Sequence, residues 1–597
     1  MLKQLDWFHG QGISTLTSHA RRYLPFAAFA AAQLVVVLLA PSRPATSSGA
    51  TLGGASPDLT GSGTATSSGQ TATGGGGPAG TATGGGGLAG GGGAGTASGS
   101  GTGPGSASGG PGTQGGGAGS SGGQRGSQGG GNGTSQPQTG FGSGNFCISG
   151  LIEHTPCVRK WYGGPNGGAT TQGVTGKSIK VLMYRPQSNA AVDAITKATG
   201  TYIAPDVEHA MLDVVSKWIN SHYQLYGRTV DFTYIRGTCA IAPPDDSCFR
   251  TEADKIAAKY HPFALFWDTD SNEGAFMDEL ARKGIVTWGG WGFNDAFNQS
   301  LRPYHYDLFM SGDVQAQFAG EFWCSTLAGR KAQYAGPALK NKTRKVAVVY
   351  PNTPTTTPAA KHLEGIINHC DRNGAIDAPY SSNTSTAATQ STANTSKEKS
   401  EGVTSLIWMS DPIAPAYGTT AQQAQNFQPE EILAGGQLLD YDALAQTYNG
   451  SVWKHAFGLS DLANAVPVSQ VDAGKIWRAT GHKGDPNPST NLLTEYALSL
   501  VGGIQAAGPD LTPLHYESGV LSTPGYDAWA TYHDPRLTYV KFGPHDYTSQ
   551  SDVRLVYWST TARSPINGKR GAYIPLKGGT RYQLGQLPRS IKLPSSV

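Results

Sequence analysis

The sequence predicts an α/β protein built of two successive doubly wound lobes, and three observations carry that prediction. From Lys177 onward, short β-branched runs alternate with amphipathic helical stretches, the pattern of a parallel sheet covered by helices. The alternation halts at Ser311-Gly312 and then begins again. The glycine excess is also confined: of 84 glycines in 597 residues, about half lie between Thr46 and Gly144. The remaining body, 145–597, has ordinary globular composition and length enough for two cores.

The chain opens with an apolar run, Leu24 to Ala40 (LPFAAFAAAQLVVVLLA), preceded by Arg21 and Arg22. Positive charge before such a run places the N-terminus in the cytoplasm and the rest outside. The run is short for a span, but Leu38 and Arg43 spoil the small-residue cleavage patterns. It therefore reads as an uncleaved anchor, with a cleaved signal peptide as the alternative. No cysteine stands close enough behind it to carry a lipid.

Residues 46–144 contain a duplicated decapeptide, TATGGGGPAG at 71–80 and TATGGGGLAG at 81–90, and only Asp58 and Arg125 as charges. Without apolar periodicity this segment is expected to be a disordered linker. About 99 such residues have a root-mean-square reach on the order of 55 Å. The Gly119-x-Ser121-x-Gly123 match to a nucleophile elbow carries no weight, because neither a strand nor a helix flanks it. The formal net charge of +3 resides in residues 1–45, so the body is neutral. That excludes nucleic acid as a partner, since phosphate binding needs a basic footprint.

All six cysteines, Cys147, Cys157, Cys239, Cys248, Cys324 and Cys370, lie in the exported body. No CxxC pair suggests zinc or redox chemistry, and an even number outside the cytoplasm suggests three disulfides. Fifteen connectivities are open; pairing of sequence neighbours is the simplest.

In the first lobe, Ser178–Tyr184 reads as a strand and Pro205–Asn220 as a helix, with proline suited to its first turn. Val230–Ile235, Pro262–Trp267 and Ile285–Trp288 read as further strands, separated by helices at Thr251–Tyr260 and Glu273–Lys283. In the second, a helix over 313–329 precedes a buried strand Arg344–Tyr350. A helix over 358–373, a polar helix near 386–401 and strand Thr404–Met409 come next. Facing lobes of this class hold ligands beyond the carboxyl ends of their strands.

Six runs carry a family resemblance: GVTGKSIKV at 173–181, TSLIWMSDPIAP at 404–415, QPEEILAG at 428–435, WKHAFGLS at 453–460, AAGPDLT at 506–512 and GGTRYQLGQLP at 578–588. They resemble the extracytoplasmic solute-binding proteins of type I periplasmic-binding fold. Within these they are most similar to the branched-chain amino-acid-receptor-like proteins of ABC importers, in the high-GC Gram-positive form. The resemblance implies two Rossmann-like lobes joined by a three-strand hinge. Lobe 1 would comprise 145–310 and 467–535, and lobe 2 would comprise 311–466 and 536–597.

Position along the strands nominates the candidate sites. GVTGKS at 173–178 lacks the glycine a phosphate loop needs at Thr171 and precedes a strand instead of following one. Glu153-His154 and Glu208-His209 are isolated, so no metal and no cofactor is expected. The loop Asp268-Thr269-Asp270-Ser271-Asn272 comes after a strand and opens a helix, so its hydroxyls and amides would face the cleft. The resemblance implies that such a loop holds a ligand carboxylate, but Asp268 and Asp270 disfavour an anion and suit an ammonium or polyhydroxyl group. Alternatively, Ser271 or Asn272 merely caps the helix.

Trp288, Gly289 and Trp291 stand at the end of the next strand, where indoles would stack on a ring or cation, although either could instead be core. Tyr184 and Gln187 are placed at the first strand's end. From the second lobe come Asn352, Thr353, Asp411, Tyr417 and Tyr441, the last next to Asp440. Together these predict an extracytoplasmic solute-binding protein, anchored at the outer membrane face through 24–40. It would capture a small polar ligand, such as an amino acid, amide or amine, for separate ABC permease subunits. A cell-surface sensory receptor of the same fold is the alternative; an extracellular hydrolase is disfavoured because no activated nucleophile stands out, so no enzymatic activity is expected.

Overall fold

The computed structural model describes residues 141–152, 155–241, 244–267, 274–527 and 538–594. The apolar run at 24–40, the glycine-rich linker up to Gly140 and the loop from Asp268 to Asn272 lie outside the described residues. Among the described residues no helix is long and apolar enough to cross a membrane.

Strand β1 (Phe141–Phe146) runs antiparallel to β2 (Val158–Trp161), and a Cys147–Cys157 disulfide closes the loop between them. The chain then turns at Gly173, where φ is +72° and an added Cβ would sit 2.1 Å from the backbone nitrogen of Phe263. Only glycine fits there, so the GVTGKS run is a tight turn packed on a neighbouring strand.

The first sheet holds β3 (Ser178–Gln187), β4 (Thr229–Ala240), β5 (Ala264–Trp267), β6 (Val286–Trp288) and β7 (His305–Tyr306). All are parallel, in the order β4-β3-β5-β6-β7. One face is covered by helices Pro205–His222, Asp472–Ala479, Thr490–Ala507 and Pro513–Ser522. The other is covered by Asp246–Tyr260 and Gly274–Arg282. Asp245 caps the former by accepting from the amides of Ser247 and Cys248, and a Cys239–Cys248 disulfide ties the end of β4 to it.

The second sheet repeats the plan. Its strands are β8 (Val346–Pro351), β9 (Ala375–Tyr380), β10 (Ser405–Trp408), β11 (Glu430–Ala434) and β12 (Ala456–Ser460). These five are parallel, in the order β9-β8-β10-β11-β12. A short antiparallel pair, β13 (Tyr526–Asp527) and β14 (Tyr539–Val540), precedes β15 (Val553–Arg563), β16 (Arg570–Pro575) and β17 (Arg581–Tyr582). The last three extend the second sheet antiparallel beyond β12. Every residue of β8, β10, β11 and β12 is buried, as expected of strands covered on both faces. A Cys324–Cys370 disulfide joins the π-helical turn Trp323–Leu327 to the end of helix Thr357–Cys370.

The chain passes between the two cores three times: near 307–312, between β12 and Asp472, and between β14 and β15. Two of these passages pair with each other, since Asp307 N–H donates to Tyr547 O (3.0 Å) and Ser549 N–H to Asp307 O (3.0 Å). Tyr547 packs in the core of the first lobe, with Phe542 against it, so the last passage lies C-terminal of position 536.

Candidate functional site

The strand order places β3 between β4 and β5, and β8 between β9 and β10. Each sheet therefore has a switch point beside its first strand, where connections leave in opposite directions and open a crevice. The loops after these strands meet at one cavity of about 570 Å³, lined by both lobes. That size suits a small molecule.

Lobe 1 contributes Arg185, Pro186 and Ser188 at the end of β3, with Tyr202, Glu208, Trp291, Leu308 and Phe309. Arg185 Nη1 meets Glu208 Oε2 at 2.8 Å, and the Tyr234 hydroxyl donates to the same oxygen at 2.6 Å. Glu208 is buried beneath the more accessible Arg185, so the cavity presents a guanidinium whose charge is already countered.

Lobe 2 contributes Thr353 after β8, Tyr380 after β9, Asp411 and Tyr417 after β10, Asp440 and Tyr441 after β11, and Leu462 to Val466 after β12. Asp411 Oδ1 accepts from the amides of Ile413 (2.8 Å) and Ala414 (3.0 Å), and its other oxygen takes the Tyr380 hydroxyl. It thus fixes the turn before helix Ala414–Ala424 while remaining on the cavity wall.

Asp440 is buried, 3.6 Å from Arg554, and accepts the Ser460 hydroxyl through Oδ2. Its Oδ1 has no partner among the described residues, nor has Oδ2 of the neighbouring Asp442. Burial raises both carboxyls, and Arg554 opposes the rise at Asp440. The same burial lowers Arg554 to about 10, countered in part by Asp440. Tyr441 lines the cavity with its phenol pushed up to about 12 by burial.

The residues singled out from sequence separate into three groups. Asp268, Thr269, Asp270 and Ser271 lie outside the described residues. Thr353, Asp411, Tyr417, Tyr441 and Trp291 are brought together on the cavity wall. Tyr184, Gln187, Trp288, Gly289 and Asn352 do not line it, each for a local reason. Tyr184 points into the core, donating to Glu252 and packing 4.6 Å from Phe276. Trp288 is 1% exposed and donates its indole N–H to Tyr516 at 2.8 Å. Gly289 continues the ladder by donating to Tyr306 O. Gln187 and Asn352 are exposed outside the cavity, and Asn352 accepts the Thr357 hydroxyl at 3.2 Å.

The structure adds Arg185, Tyr202, Glu208, Tyr380 and Arg554 to the lining, none of which lies in a recognisable motif. Arg185 does carry a signal: side chains alternate along a strand, so with Tyr184 in the core its neighbour faces away.

No protein-family model matches the sequence, and no curated protein matches it. Among solved structures, the chain is similar to a possible leucine/isoleucine/valine-binding protein from Rhodopirellula baltica SH 1. The identity is 11%, covering 67% of this chain and 96% of that one, with a TM-score of 0.45. It is similar to an ABC-transporter solute-binding protein from R. palustris in complex with 4-hydroxybenzoate, at 13% identity, 69% and 98% coverage and a TM-score of 0.48. It is also similar to a fatty acid ABC transporter substrate-binding protein from Thermomonospora curvata, at 13% identity, 71% and 98% coverage and a TM-score of 0.46. By its own topology, two parallel sheets of one strand order joined by three passages around a shared cavity, the chain has the type I periplasmic-binding fold.

Proposed function

We propose that the protein is an extracytoplasmic solute-binding protein that captures a small polar molecule between its lobes and presents it to separate ABC permease subunits. The observation that carries this reading is the cavity walled from both lobes by the loops at the carboxyl ends of their strands. A ligand touching both walls favours the closed arrangement over an open one, and this differential affinity is all that capture requires. No bond need be made or broken. The motif resemblance, the apolar run at 24–40 and the long glycine-rich segment support an anchored receptor at the outer face of the membrane.

The test is a thermal-shift screen of the full-length protein against amino acids, amides, amines and sugars. A ligand that binds the folded state raises the midpoint in proportion to the logarithm of its concentration. A complete screen without a shift would remove the reading, and conversion of a hit to product would replace it with catalysis.

A further inference from the structure

Helix Ala387–Ser400 departs from the usual rule of an apolar face turned to the sheet. Of its residues only Thr395 and Glu398 are buried, so its inward positions are polar. It packs against helix Ala414–Ala424, and the cavity runs on between them, walled there by Glu398, Gln422, Trp408 and Thr395.

This limb is walled by a buried carboxyl and a buried amide. Glu398 is 4% exposed, and burial and the neighbouring Lys397 charge are the influences that act on its carboxyl. Gln422 is 1% exposed with Oε1 unpartnered among the described residues. Glu431, on β11, is fully buried behind this wall, where its carboxyl already takes the Trp408 indole N–H at 2.6 Å and the Gln422 side chain. Buried polar atoms normally find partners, and local departures from the patterns of a stable fold mark functional sites.

We propose that this limb of the cavity binds an organic ammonium, so that the captured solute is an extended amine with its cationic end inside lobe 2. An ammonium brings three donors and no acceptor, matching the Glu398 carboxyl and the Gln422 amide oxygen that wall the limb. The Trp408 ring beside them offers a face for the same charge. The inference rests on the cavity being the solute site, and it names the solute's chemical class.

Burial pushes Glu398 up to about 7, and the neighbouring Lys397 opposes this only in part. Burial also raises Glu431, with the nearby Glu398 adding to the rise and the hydrogen bonds from Trp408 and Gln422 opposing it. The Lys397 ammonium is engaged by Asp377 O at 3.0 Å. Asp411, Tyr417 and Tyr380 are the other titratable groups on the adjoining cavity wall. Ammonium binding needs Glu398 ionised, so affinity should rise by roughly ten-fold between pH 6 and pH 8, while the amine itself stays charged up to about 10.

The test is calorimetric titration of the full-length protein with straight-chain primary amines of increasing length, each paired with the alcohol of equal length. At least one amine should bind roughly ten-fold or more tightly than its alcohol. Glu398→Gln should abolish that preference and flatten its pH dependence, with the unfolding midpoint confirming that the variant folds. Equal binding of amines and alcohols, or a preference that survives Glu398→Gln, would overturn the assignment. If amino acids or sugars bind while amines show no preference over alcohols, the ammonium limb fails and solute capture stands. If no compound of either screen binds, both fail.

Discussion

The Tyr496 hydroxyl links the cavity wall to a passage between the lobes: it accepts the Trp291 indole N–H at 2.6 Å and donates to Asp307 Oδ1 at 2.9 Å. Trp291 lines the cavity, whereas the backbone of Asp307 pairs with Tyr547 and Ser549 on another passage. Three segments far apart in sequence thus meet at one phenol.

Tyr496→Phe keeps the ring and removes both bonds, leaving a buried indole N–H and a buried carboxyl short of a partner. The expected loss is about 1–3 kcal/mol for the stranded groups, measured by denaturant unfolding. A loss below about 0.5 kcal/mol would mean that other groups take over the two bonds.

The same carboxyl gives a pH dependence. Burial pushes Asp307 up to about 7, against the opposing bond from Tyr496, while an unfolded aspartate titrates near about 3.9. Between those values the folded chain holds a proton that the unfolded chain releases, so this contribution to stability falls as pH rises from about 4 to about 7 and is constant above. His305, lowered to about 3 by burial, acts in the opposite sense below about 6.5, so the comparison is between wild type and Asp307→Asn. Asparagine mimics the neutral acid, and the variant should gain roughly 2–3 kcal/mol relative to wild type as the pH is raised from about 5 to about 8. Parallel stability curves would contradict this.

In the second lobe, Arg344 Nε and Nη2 hold Glu430 Oε2 and Oε1 at 2.7 and 2.8 Å, with both side chains buried. Arg344→Met strands the carboxylate beneath β8 and β11 and should cost about 3–5 kcal/mol, most of it recovered by adding Glu430→Met. Equal losses in the single and double variants would show that packing, not the stranded charge, sets the cost.

Two aromatics that look alike in sequence should behave differently. Tyr417 is partly buried on the cavity wall, so Tyr417→Ala should weaken a bound solute with little change in the unliganded midpoint. Trp288 is core, and Trp288→Ala should cost about 3–5 kcal/mol. A stable Trp288→Ala that bound solute weakly would place that indole at the ligand after all.

Particular residues show where sequence reading works and where it stops. Ser178–Tyr184 is legible as a strand because it is buried over most of its length, and Pro205 marks a helix start that the structure also has. Strand β9, AIDAPY, is not legible, because an aspartate and a proline interrupt it; at the edge of a sheet, where no neighbour needs the missing N–H, both are tolerated. Helix Ala190–Thr199 is likewise silent in the pattern. Position alone nominates Tyr184 at the end of the first strand, whereas the alternation of that strand puts Arg185 on the cavity.

Strand and helix periodicities are local properties of neighbouring residues, which is why the α/β class, the two successive lobes and the restart at Ser311-Gly312 can be read along the chain. Proximity in sequence also makes the neighbouring cysteine pairs the simplest, and the structure joins those pairs. Which polar side chains share the cavity is a different matter, settled by packing. Arg554 meets Asp440 across more than a hundred residues, and Glu398 and Gln422 share the cavity wall only because two helices pack together. Such meetings depend on how elements distant along the chain pack, and no local pattern encodes them.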